Sequence, residues 1–130
     1  MSSIFTKIVN GEIPSHKILE NDRFLAFLDV FPLVKGHVLV IPKKEVDYIF
    51  DVADNDLADM MLFAKKVAKA QKAAITCKRI GVAVIGLEVP HAHIHLIPLN
   101  TMNDINFTQP KLSLPPAELK EIAEKIRAKL

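Results

Sequence analysis

At 130 residues, half of them hydrophobic and a quarter charged, the chain is long enough for one domain with a modest core, and its composition excludes a disordered protein. The formal charge is only +2, and Lys43, Lys44, Lys65, Lys66, Lys69, Lys72, Lys78 and Arg79 are scattered, so neither nucleic acid nor a membrane surface is an expected partner. One cysteine, Cys77, allows no internal disulfide, no apolar run approaches ~18 residues and the N-terminus is not signal-like, so the expected setting is reducing and cytoplasmic.

Ser3 can cap a short helix over Ile4–Val9 that Asn10-Gly11 ends. Lys17–Glu20 and Arg23–Asp29 are short apolar segments on either side of Asn21-Asp22, a turn signal, and predict a hairpin. After a loop over Phe31–Gly36, His37–Lys43 is rich in β-branched residues and predicts a central strand ending near Pro42. Asp54 or Asn55 is expected to cap a helix reaching about Lys72, with Leu57, Met60, Met61, Ala64, Val67, Ala68 and Gln71 on its inward face. Cys77 follows that helix in a linker, where a packing residue is the expected role. Arg79–Leu87 and His91–Leu99 are the last two predicted strands, followed by a polar loop over Asn100–Lys111. Pro115-Pro116 then opens a helix whose Leu119, Ile122, Ala123 and Ile126 face inward. Hairpin-connected strands without βαβ alternation predict an α+β fold: a five-stranded antiparallel sheet with a central and a C-terminal helix, as one domain over residues 1–130. No GxGxxG or Walker-type loop is present.

The chemistry-bearing feature is His91-Ala92-His93-Ile94-His95-Leu96-Ile97-Pro98, which places three of the chain's five histidines at alternate positions. In a strand all three imidazoles would share one face, with Ala92, Ile94 and Leu96 on the other. Solvated surface histidines would tolerate this spacing, but nothing would require three of them in so apolar a segment. Zinc is a stronger rival, since imidazole is a common ligand. The outer two Cα atoms of such a strand lie about 13 Å apart, which makes it hard for both to reach one ion. Two of the three with a remote ligand remains open.

The segment matches the His-φ-His-φ-His-φ-φ signature of the histidine triad (HIT) family. Ile4–Pro14 is similar to the N-terminal segment of its Hint branch, and Phe27-Leu28-Asp29 with Pro32, then Gly36–Lys43, resemble its nucleotide-binding strands. The resemblance implies a HIT-like fold and a homodimer that hydrolyses bonds to the phosphorus of nucleoside monophosphates. Its substrates would be AMP or GMP conjugates: phosphoramidates, acyl or aminoacyl adenylates, or dinucleoside polyphosphates. It assigns His93 as the nucleophile that forms a nucleotidyl-histidine, His95 as a contact to phosphate oxygens, and His91 with His37 as the hydrogen-bonded pair orienting His93. Asp29 would accept the ribose hydroxyls, and Phe27, Val30 and Ile8 would enclose the base. No cofactor or metal is implied. These roles are chemically sensible, because neutral imidazole is a capable nucleophile near pH 7 and nucleotidyl transfer depends mainly on positioning and charge stabilisation.

Three departures from the Hint pattern stand out. Gly86-Leu87-Glu88-Val89-Pro90 replaces a Gly-Gln-Ser/Thr-Val element, and Arg79–Ile85 lacks the usual asparagine, so Glu88 and Val89 take the place of groups that meet the phosphate or leaving group. The Arg79–Pro90 connection is short. Ser3 and Thr6 stand where some bacterial members carry a Cys-x-x-Cys zinc site, so that zinc is not expected. Loss of the asparagine and hydroxyl keeps a second reading open: a purine-nucleotide sensor or scaffold with little turnover.

Overall fold

The computed structural model describes residues 2–130. Helix α1 (Ile4–Val9) starts where the Ser3 side chain accepts the Thr6 N–H at 3.0 Å, and Gly11, at φ 78°, turns the chain away from it. The Asn21 Oδ1 accepts the N–H groups of Arg23 and Phe24 at 2.9 and 2.7 Å, and this side-chain turn joins β1 (Lys17–Glu20) to β2 (Phe24–Leu28). Then follow β3 (Val38–Pro42), α2 (Asp54–Ala74), β4 (Arg79–Ala83), β5 (Ile94–Leu99) and α3 (Pro116–Arg127). The five strands form one antiparallel sheet in the order β1-β2-β3-β5-β4, the α+β architecture the sequence predicts.

Every residue of β2 and β3 is buried, because both faces of the sheet centre are covered. On one face Phe24, Ala26, Leu28, Val38 and Val40 pack with Met60, Ala64 and Val67 of α2 and Leu119, Ile122 and Ile126 of α3. On the other, Leu25, Phe27, Leu39 and Ile41 meet Phe5 and Ile8 of α1. Strand alternation thus divides two adjacent strands between a large core and a smaller one, and the smaller one borders the histidines.

The structure corrects several boundaries. Helix α2 has Ala53 at its cap position with no side-chain hydrogen bond, and Asp54 and Asp56 act instead as first-turn charges favourable to the helix dipole. Met61 is 49% exposed, whereas Phe63 and Ala70 are buried, because the inward stripe runs through Met60, Phe63, Ala64 and Val67 and leaves Met61 a step around the helix. Strand β4 ends at Ala83 rather than Leu87, since its last partner is His95. Strand β5 begins at Ile94 rather than His91: Pro42, which ends β3, has no N–H to extend the ladder, and the Ala92 N–H bonds the Val46 carbonyl instead, at 2.7 Å. The 100–111 segment is not wholly irregular, as Met102–Ile105 forms a 3₁₀ turn closed by reciprocal bonds between Thr101 and Asp104.

Candidate active site

Because the chain reaches the sheet only at Ile94, the three triad imidazoles do not share one strand face. Strand β5 carries His95 alone, while His93 and His91 lie on the bend before it. The His93 Nδ1 faces the His91 carbonyl at 2.7 Å. A carbonyl only accepts, so Nδ1 carries the proton and Nε2 keeps its lone pair. The opposite polarity is fixed at His95. The Leu33 N–H donates to His37 Nδ1 at 3.1 Å, so a neutral His37 is protonated on Nε2 and donates to His95 Nδ1 at 2.9 Å. The remaining His95 nitrogen, Nε2, is thereby an N–H donor. Two imidazoles with ring centroids 4.8 Å apart therefore offer one lone pair and one proton.

The pairing implied for His91 with His37 is not formed. His37 pairs with His95, and the His91 Nε2 donates to the Pro42 carbonyl at 2.7 Å while its Nδ1 lies 2.7 Å from the Ser3 hydroxyl. The sheet register explains the exchange: His37 stands at the start of β3, opposite the β5 residues that follow His93, whereas His91 comes level with the far end of β3. His91 still orients His93, but through its backbone carbonyl. The Thr6 hydroxyl joins this knot, donating to Glu45 at 2.7 Å and lying 3.4 Å from His91 Nδ1. The two positions where a Cys-x-x-Cys zinc pair would stand thus hold hydroxyls turned to hydrogen bonding.

His93, His95 and His37 open onto a cavity of about 800 Å³, large enough for a nucleotide. Asp29, Phe27, Val30, Ile8, Glu88 and Val89 line it as well; of the sequence-predicted residues, His91 alone does not reach it. One side is apolar: Phe5 stands edge-on to Phe27 at 5.6 Å and to His93 at 5.0 Å, with Ile8 and Ile13 beyond. Phe107 packs edge-on against His95 at 4.8 Å, and Lys111 also lines the cavity. Phe5, Phe107 and Lys111 are among the lining residues that sequence reasoning passed over. For Phe5 the signal was its pairing with Ile8 on one short helix face; for the other two the polar 100–111 segment carries no periodicity.

Burial governs the electrostatics. It lowers His93 below the ordinary histidine value, against the His91 carbonyl bond that favours its charged form. Burial, reinforced by the neighbouring histidines and Lys111, lowers His95 to about 4 and His37 to about 3. All three are neutral at pH 7. Burial also raises the Asp29 carboxyl, although its Oδ1 accepts the Phe31 N–H at 3.0 Å. Asp29 Oδ2 lies 3.8 Å from His37 Nε2, but a neutral His37 makes this a dipolar contact rather than an ion pair.

Among the described residues, the group that could chelate a metal ion is Asp29, His37 and His95, with donor atoms within 4.8 Å of one another. It includes one triad imidazole rather than two. The facing nitrogens of its two histidines are already bonded to each other, so an ion held by those two nitrogens would replace that hydrogen bond.

An open antiparallel sheet thus aims a lone-pair imidazole and a donor imidazole into one cavity, an arrangement able to attack an electrophile and to donate to the charge that develops on it. The HIT domain family model matches residues 10–102, and the chain belongs to that family. An adenosine 5′-monophosphoramidase of Schizosaccharomyces pombe, hnt1, is 37% identical over 136 residues, covering 100% of this chain and 99% of that protein. A HIT-like protein from Bartonella henselae, described as involved in cell-cycle regulation and solved with an unknown ligand, superposes with a TM-score of 0.87 at 34% identity, over 99% of this chain and 96% of that one. A zinc-bound histidine triad family protein from Mycobacterium smegmatis superposes at 0.83 with 27% identity, over 99% and 93% of the two chains.

Proposed function

We propose that this protein hydrolyses the P–N or P–O bond of nucleoside 5′-monophosphate conjugates, with adenosine phosphoramidates as the first class to test, through a nucleotidyl-histidine on His93. The observation that carries the reading is the 2.7 Å bond from His93 Nδ1 to the His91 carbonyl, which frees Nε2 as a nucleophile at the cavity wall. In this scheme Nε2 attacks phosphorus and the bond to the leaving amine or alcohol breaks. The leaving group takes up a proton from solvent as it departs, and water then attacks phosphorus, breaking the P–N bond to His93, returning that proton to solvent and releasing the nucleoside monophosphate. The His95 N–H donates to a phosphoryl oxygen and needs no reorganisation to do so. Asp29 accepts the ribose hydroxyls, and Ile8, Phe27 and Val30 flank the base. Glu88 and Val89 border the leaving group, where the Glu88 carboxylate disfavours anionic leaving groups and suits cationic ones. The curated relative from Schizosaccharomyces pombe supports the phosphoramidase choice. A homodimer built on the exposed β4 edge completes the proposal.

The test is release of AMP from adenosine 5′-phosphoramidate by wild type and His93→Ala, with EDTA present. The expected result is multiple turnovers that fall on the order of 10³-fold or more in the variant. Activity that survives in His93→Ala would remove the nucleotidyl-histidine. AMP binding with product stopping at one equivalent would make the protein a purine-nucleotide sensor instead, the outcome that loss of the asparagine and hydroxyl before the triad would explain.

A further inference from the structure

The charge balance of the cavity poses a problem for any nucleotide. Its walls carry the carboxylates of Asp29 and Glu88, and its three imidazoles are neutral at pH 7. A phosphate entering such a site gives up hydration and meets like charge. Among the described residues lining the cavity, Lys111 is the one cation.

Lys111 is in no contact ion pair, although its charge reaches Asp29 and favours that carboxylate. Its Nζ donates to the Phe107 carbonyl at 3.2 Å and lies 5.3 Å from the centroid of the Phe107 ring, and no carboxylate pairs with it among the described residues. Lys35, Lys43 and Arg23, by contrast, are held by Glu118, Glu20 and the Asp56–Asp59 pair. An ammonium has three donors, so two N–H groups remain for a ligand. Its placement is set by packing. The Leu112 N–H bonds the Pro32 carbonyl at 2.8 Å, tying this segment to the loop between Asp29 and His37, and the Phe107 ring beneath the ammonium rests on His95. The charge therefore lies over the ring that rests on His95, the residue that presents the donor N–H.

We propose that Lys111 is the phosphate-neutralising residue of this site: its ammonium pairs with the phosphate of a nucleoside monophosphate bound in the cavity and sets the preference for nucleotide over neutral nucleoside. This rests on the nucleotide-hydrolase reading given above. It concerns a segment beyond residues 10–102, so the family match does not account for it.

The experiment compares the affinities of AMP and adenosine for wild type, Lys111→Gln and Lys111→Arg by calorimetry at low and high salt. Removing the charge should weaken AMP about tenfold and leave adenosine unchanged, with the difference shrinking as salt rises. Lys111→Arg should restore most of the AMP affinity. Equal weakening of both ligands would mean that Lys111 only props Phe107 against His95, and would overturn the proposal. Unchanged AMP affinity in Lys111→Gln would overturn it too while leaving His93 chemistry standing. A wild-type protein that binds no AMP would remove the nucleotide reading and this inference together.

Discussion

At the scale of single residues, the site depends on protons being in the right places. His93 can attack only while Nε2 is bare, and burial keeps it so below the ordinary histidine value of 6.5. The acid limb of kcat/KM for adenosine 5′-phosphoramidate should therefore lie below pH 6.5, once the rate without enzyme is subtracted. An acid limb at or above 6.5 would mean that the site does not desolvate His93 as the geometry demands. Stability follows the same sign. His37 titrates near 3 when folded and about 6.5 when unfolded, so between these values the unfolded chain binds more protons and stability falls as pH falls. At pH 5 this one residue should cost on the order of 2 kcal/mol relative to pH 7, a loss that His37→Gln removes from the pH dependence of chemical unfolding. The spacing of His91, His93 and His95 made the cluster legible in the sequence, whereas Asp29 and the apolar residues that line the cavity with it were reached only through the family resemblance. The His93 assignment comes from the His91 carbonyl within the motif, but those of His37, His95 and His91 were not legible, because they come from the Leu33 N–H, the Pro42 carbonyl and the Ser3 hydroxyl, each brought in by the fold from outside it.

Among the elements, α2 holds the histidine pair in register. Gln71, fully buried, donates from Nε2 to the carbonyls of Gly36 at 2.7 Å and Leu96 at 2.8 Å, the residues next to His37 and His95. Gly36 adopts φ +90°, and a Cβ there would come within 3.1 Å of Ile75, so this junction is also sterically closed. Gln71→Leu keeps the volume but leaves two carbonyls without their side-chain donor. It should cost about 2 kcal/mol and lower Tm by roughly 6–10 °C, with a loss of turnover as the His37–His95 bond loosens. An unchanged Tm would show that the strands hold this register unaided. Helical periodicity placed Gln71 on the inward face and found the α3 core residues correctly, because that stripe depends on local geometry alone. It misjudged Met61 against Phe63, and the ends of β4 and β5, because those depend on which partner lies opposite: a strand stops where its neighbour stops bonding, and Pro42 and the Val46 carbonyl decide that from another part of the chain.

For the whole molecule, the two edges of the sheet are not treated alike. Strand β1 is four residues long, carries Lys17 and Glu20, has an irregular register against β2, and receives the Arg127 guanidinium on its Lys17 carbonyl. Those are devices that discourage pairing. Strand β4, at the opposite edge, exposes Val82, with Val84 just beyond it, and both border an apolar groove with Leu57 and Met61 of α2. Leu62 on α2 and Phe50 before it are also exposed, at 64% and 73%. Neighbouring apolar groups of this kind, beside an unpaired strand edge, suit a two-fold interface in which β4 lies against its copy, since an isologous contact needs a self-complementary patch. The proposed homodimer should therefore be disrupted by Val82→Glu combined with Met61→Glu, which place like charges on both sides of such an axis. Sedimentation equilibrium should show wild type at twice the chain mass and the double variant at the mass of one chain, with near-wild-type circular dichroism, because both side chains are already exposed in the single chain. A wild-type monomer would remove the dimer outright. A double variant that stays dimeric would move the interface away from β4 and α2, leaving the exposed valines without a partner of their own kind.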